Sequence, residues 1–179
     1  MKIKSMIAIT ISISYLLSTN SVSAASPENV ADILGRDLNV PVIGSLGHVG
    51  LWTGSEVLEV LDTEAVIEVN SLSSFVNETE YWGYKVRNPK IHINNRENII
   101  KFGLQQKEFL PSYSLSFMYV AGRWEFKRVY NPVTKDWERK RVIAQKGEFR
   151  CDTFIEFAWK RANEKRPYGD TPYVMYSNY

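Results

Sequence analysis

Apolar and polar positions divide the chain into short alternating stretches followed by helical ones. Gly47-His48-Val49-Gly50-Leu51-Trp52-Thr53-Gly54 reads as a strand bracketed by glycines, with His48 at its start. Glu56–Leu61 and Glu64–Val69 alternate and read as a second and third strand, and Tyr81–Arg87 as a fourth, forming an antiparallel meander. Ser71–Phe75 reads as a helix start or tight turn. A turn at Asn88-Pro89 and a short Ile91-His92-Ile93 segment come next, then a helix from Asn95 carrying Ile99, Ile100, Phe102 and Gly103, broken at Leu110-Pro111. Residues 114–120 are apolar with no clear period. Residues 123–130 and 137–144 flank Asn131–Asp136 as a β-hairpin. After Gly147, residues 151 to about 163 read as a helix: Phe154, Ile155, Phe157, Ala158 and Trp159 cover one broad face, and Glu156 and Lys160 stand i,i+4. Pro27, Val30, Ile33 and Leu34 predict a lead-in helix within residues 25–40. The tail from Arg166 is expected to be irregular but packed.

The first residues carry a different signal. Met1-Lys2-Ile3-Lys4 is basic, Met6–Leu17 is apolar with interspersed Ser and Thr, and Val22-Ser23-Ala24 offers small residues to a signal peptidase. The expectation is an exported protein cleaved after Ala24, with one domain over residues 25–179; the apolar run is too short for a membrane anchor. Removing Lys2 and Lys4 takes the formal charge of +2 to about zero, so the whole chain exerts no basic pull on nucleic acid. The chain has a single cysteine, Cys151, so no intramolecular disulfide forms.

Cys151 falls at a helix start, where unpaired N–H groups and the helix dipole favour a thiolate, with Arg150 adding positive charge. A nucleophilic thiol needs a nearby base, and the base needs an orienting partner. Of the two histidines, His48 at the mouth of its strand is the better base, and His92 reads as exposed. Glu59, Asp62 and Glu68 are candidate orienting acids. Glu59 lies on the strand after His48, joined by a tight Gly54-Ser55 turn that brings the two close under antiparallel pairing. Nothing has zinc-ligand spacing, and no metal or cofactor is expected.

Three stretches together resemble a circularly permuted NlpC/P60 domain, a papain-like group of cysteine hydrolases: Gly47–Gly54, Val57-Leu58-Glu59-Val60, and Ala65–Phe75. Phe149–Ile155 is similar to the family's cysteine helix start, and Leu110-Pro111-Ser112-Tyr113-Ser114 to a Pro-Tyr-Asp segment before it. The resemblance spans residues 45–160 and implies an α+β fold with an antiparallel sheet packed against the cysteine-bearing helix. It also implies Cys151 as nucleophile, His48 as base, Glu59 as orienting residue, and Tyr113, Trp52 and Arg150 near the substrate. Asp152 departs from the family's small residue, Ser114 from its Asp, and residues 122–146 look like an insertion.

The implied activity is a thiol hydrolase that cuts an amide, in a cell-wall peptide, through an acyl-enzyme. A lipid-directed thioesterase or acyltransferase on the same triad is the alternative, favoured if the 122–146 hairpin exposes apolar residues. A binding protein that keeps the fold without turnover is the third reading. The hairpin is locally basic, with Arg139, Lys140 and Arg141 consecutive and Trp124, Phe126, Tyr130 and Trp137 interleaved. That composition suits an anionic envelope polymer or membrane surface, and export makes nucleic acid a poor partner; a merely solvated hairpin is equally compatible with it.

Overall fold

The computed structural model describes residues 27–38, 46–84, 93–165 and 169–179. The expected signal peptide, His92, the Asn88-Pro89 turn and the continuation of the strand past Tyr84 lie outside the described residues.

The architecture is α+β. Strands β1 (Ile33–Arg36), β2 (His48–Trp52), β3 (Glu56–Val60), β4 (Ile67–Ser71) and β5 (Tyr81–Tyr84) form one sheet in the order β4-β3-β2-β1-β5, all pairs antiparallel. β2, β3 and β4 make the expected meander, but β5 pairs with β1 at the opposite edge from β4. The reason is β1, which replaces the expected lead-in helix. Asp32 accepts the Asn29 N–H at 2.9 Å and Ala31 takes a positive φ of 65°, which turns the chain into the sheet. Ile33 and Leu34 then bury on opposite faces, one against each core cluster. Adjacent apolar residues on a helix would share a face, so the same two residues fit either reading until the sheet decides.

Register sorts the side chains. Ile33, Val49, Leu51, Leu58, Val60 and Ile67 enter the larger core, beneath α3 (Cys151–Arg161) and α2 (Arg96–Gln105). Leu34, Trp52 and Val57 turn the other way, onto Phe75 of α1 (Leu72–Asn77). Ser71 caps α1 by accepting the Ser74 N–H at 3.0 Å.

Two small parallel strands, β6 (Ser112–Tyr113) and β9 (Glu148–Phe149), lie just before α3, and between them runs a hairpin of β7 (Arg123–Asn131) and β8 (Asp136–Gln145). The tail is not irregular throughout: Pro172–Ser177 forms α4. Thr171 accepts the Val174 N–H and Pro172 occupies the first turn, a helix-start pair present in the sequence. Tyr176 of α4 donates to the Trp82 carbonyl at 2.7 Å, which ties the chain end to β5. Among the described residues no helix is long and apolar enough to cross a membrane.

Candidate active site

Cys151 is the first residue of α3, and the chain before it is fixed by reciprocal bonds: the Arg150 N–H donates to the Thr153 hydroxyl at 2.9 Å, and that hydroxyl donates back to the Arg150 carbonyl at 3.1 Å. The N–H groups of Cys151 and Asp152 lie in this first turn beside the sulfur, while that of Thr153 bonds the Asp152 carboxylate at 2.9 Å. His48 is the first residue of β2, and α3 packs on β2, so the thiol and the imidazole meet where both elements begin. Gly47 sets the approach. Its φ is +68°, and a Cβ there would come within 1.6 Å of the Trp82 ring, so only glycine fits directly before His48.

Behind His48 lies a buried polar cluster built by strand register. His48 Nε2 lies 2.8 Å from Glu59 Oε2, which leaves Nδ1 for the sulfur. Asn70 Nδ2 donates to Glu59 Oε1 at 2.8 Å. Arg36, opposite His48 on β1, approaches Glu59 Oε2 at 3.5 Å, continues to the Glu78 carboxylate and stacks on Phe75. Arg36, His48 and Glu59 are all almost completely buried. A carboxylate at that depth holds its charge only because three donors converge on it.

The charges follow this geometry. Burial alone would raise the Glu59 carboxyl, yet the hydrogen bonds and charges of His48, Asn70 and Arg36 hold it below its ordinary range. Burial likewise opposes a charged His48. The sulfur charge and hydrogen bond of Cys151, then those of Glu59, outweigh it and push His48 from 6.5 up to about 9. The arrangement favours an imidazolium beside the Cys151 sulfur at neutral pH.

The site opens into a cavity of about 170 Å³ with apolar walls from Leu38, Leu46, Leu115, Phe117 and Pro172. Tyr113, brought beside Phe149 by the β6–β9 pairing, lines it with Cys151 and His48. Burial first, and then the charge of Cys151, push the Tyr113 hydroxyl up to about 12, so it stays protonated and able to donate. The cavity is smaller than the ~300 Å³ at which drug-sized pockets begin, so it admits one substituent of a substrate.

Four expected residues, Cys151, His48, Glu59 and Tyr113, come together here. Trp52 does not: it points to the same sheet face as His48 but lies four residues on, about 13 Å along the strand, and packs with Leu34, Val57 and Phe75. Arg150 reaches the cavity with its charge already engaged. Its Nε and Nη2 donate to the two oxygens of Asp152, each at 2.6 Å, its Nη2 also reaches the Asp170 carbonyl, and it stacks on Phe117 at 4.4 Å. It braces the cavity wall more than it offers a free cation, and Asp152 is its counter-ion. Glu68 accepts from Thr63 and Asp62 is exposed, so neither takes the orienting place.

Arg36 and Asn70 are site residues that the sequence did not reveal. Arg36 was hidden by the helical reading of its segment. Asn70 was findable, because pairing Val57 with Asn70 puts it diagonal to Glu59 on the same face. Among the described residues no group of three His, Cys, Asp or Glu side chains forms a metal site. Comparison of the chain with protein-family models, with curated proteins and with solved structures finds no match in any of the three.

Proposed function

We propose that the protein is an exported cysteine hydrolase acting through an acyl-enzyme, with Cys151 as nucleophile, His48 as acid and base, and Glu59 as its orienting partner, on a permuted papain-like framework of the NlpC/P60 type. The observation that carries this is the placing of Cys151 at the first position of α3 against a buried His48 that Glu59 holds through Nε2. The Cys151 sulfur attacks the substrate carbonyl carbon and the S–C bond forms. The oxyanion meets the N–H groups at the start of α3. His48 gives its proton to the leaving nitrogen as the C–N bond breaks. Water, deprotonated by His48, then attacks the thioester and releases the acid and the thiolate.

An amide in a cell-wall peptide is the first substrate class. An acyl-lipid thioester or ester, turned over on the same residues, is the second, and it is supported by the apolar cavity walls and by the exposed Phe126, Val133 and Trp137 of the hairpin. Purified protein and its Cys151→Ala variant, given a panel of peptidoglycan-derived peptides and a panel of long-chain acyl esters, separate the readings. Cysteine-dependent cleavage of the peptides supports the first, and of the esters the second. No cleavage of either by a folded protein with a reactive thiol favours a binding role and overturns the hydrolase.

A further inference from the structure

The β7–β8 hairpin is a sheet of only two strands, joined to the body at its root by Phe109 against Trp124 and by Glu108 against Arg141. Its register separates two faces of opposite character. On one face, Glu125 pairs with Lys127 at 2.6 Å and Glu138 with Lys140 at 3.3 Å, beside Asp136, so the charges there cancel or lean negative. The other face carries Trp124, Phe126, Arg128 and Tyr130 from β7 and Trp137, Arg139, Arg141 and Ile143 from β8, with no acid among them.

The consecutive Arg139, Lys140 and Arg141 are therefore not one patch. Lys140 belongs to the self-neutralised face, while Arg128 takes its place on the other. Arg128 and Arg139 stand directly opposite each other, a like-charge pair that weakens an exposed sheet. Among the described residues neither arginine has a carboxylate at ion-pair distance; Arg141 alone has Glu108, at 3.4 Å. Such a pair at the middle of a free-standing hairpin asks for an anion from outside.

The order along the hairpin identifies the anion. Val133 at the tip is 87% exposed. Tyr130 and Trp137 form the last rung of this face, ring centres 5.7 Å apart. Arg128 and Arg139 follow two residues nearer the root, about 7 Å back at strand spacing. A bilayer has this same order: aromatic rings settle at the headgroup boundary, some 5–10 Å deep, with cations at the phosphates above them. A single-stranded polyanion would instead use open ring faces for stacking. Two of the four rings are closed to it, because Arg139 covers Phe126 and Arg141 covers Trp124, each at 4.4 Å.

We propose that the face carrying Arg128, Arg139 and Arg141 docks the protein on an anionic phospholipid bilayer, with Val133, Tyr130 and Trp137 lowered into the headgroup layer. The inference is independent of the thiol chemistry, and Cys151→Ala should bind as the unaltered protein does.

The test is co-sedimentation of the full chain with vesicles of two parts phosphatidylcholine to one part phosphatidylglycerol, against pure phosphatidylcholine. Arg128→Gln/Arg139→Gln should weaken binding to the anionic vesicles roughly thirtyfold, from about a factor of five to six per surface cation. Lys127→Gln/Lys140→Gln removes the same charge from the opposite face and should change binding less than about threefold. Val133→Ser should weaken vesicle binding but leave binding to a soluble polyphosphate unchanged, and Trp137→Phe should remove quenching by brominated acyl chains. Equal losses from the two charge pairs, binding that no hairpin variant alters, or polyphosphate bound as tightly as vesicles would each overturn the proposal.

Discussion

Replacing Glu59 by Gln tests the polar cluster where the structure makes its sharpest demand. Three donors converge on this carboxylate: His48 at 2.8 Å, Asn70 at 2.8 Å and Arg36 at 3.5 Å. Glutamine keeps one oxygen for His48 and Arg36, and its NH₂ then faces Asn70, which can turn its own amide to accept. The shape and hydrogen bonds survive while the charge is lost. A charge-assisted hydrogen bond contributes about 1.5–3 kcal/mol, so His48 should hold its proton roughly ten- to hundredfold less tightly, a drop of about one to two pH units from its raised value of about 9. Two readouts follow. The pH profile of the His48 ring signals, followed by NMR, should move down from about 9 by roughly one to two units, and turnover near pH 8 should fall roughly two- to tenfold, with the circular dichroism spectrum unchanged. Glu68→Gln, whose carboxylate serves only Thr63 among the described residues, should alter neither. If a folded Glu59→Gln protein keeps both the profile and the turnover, or if Glu68→Gln reproduces the loss, the Glu59 charge does not hold the His48 proton.

Gly47→Ala should lower stability by about 3 kcal/mol or more in urea titration, since it combines a positive φ with a clash on Trp82; an unchanged midpoint would show that the turn before His48 is not as tight as described. Trp52→Phe should cost about 1 kcal/mol of stability and leave turnover within about twofold, because Trp52 belongs to the core under α1 and not to the cavity; a large rise in KM would return it to the site. The raised His48 contributes stability that is complete below pH 6.5 and is lost as pH rises through about 9. That loss, up to ~3 kcal/mol, should appear as a fall in Tm of roughly 6–12 °C across this window. His48→Gln should flatten the fall, and an equally steep fall in the variant would assign it to other groups.

The meeting of Cys151 with His48 was legible because its signals are local. A cysteine followed by an apolar helical face marks a helix start, and a histidine before an alternating run marks the start of a strand. Glu59 was legible through pairing arithmetic, since a tight turn at Gly54-Ser55 fixes which residues of β2 and β3 lie across from each other. The same arithmetic carried to β4 reaches Asn70. β1 was not legible, and Arg36 was lost with it. Its four residues are too few to display a period, and they enter the sheet through pairing with β2 and β5, which are distant in sequence. Trp52 misled because it shares the site's strand; strand length, not sequence adjacency, removes it from the cavity. The basic run in the hairpin misled in the same way, because consecutive residues of a strand point to opposite faces. The apolar segment 114–120 has no period because it is a loop, and its use as a cavity wall through Leu115 and Phe117 depends on the β6–β9 pairing that precedes and follows it.

An acyl group carried on Cys151 is what the proposed hydrolase requires above all, and it can be detected directly. The protein is mixed with p-nitrophenyl acetate near pH 7, quenched in acid within the first turnover, and analysed by intact mass and peptide mapping. A burst of nitrophenol close to one per protein chain is expected, with a matching acetyl adduct on the peptide containing Cys151, and neither burst nor adduct after His48→Ala. A burst with the adduct on another residue, or hydrolysis that proceeds undiminished in Cys151→Ala, would contradict it.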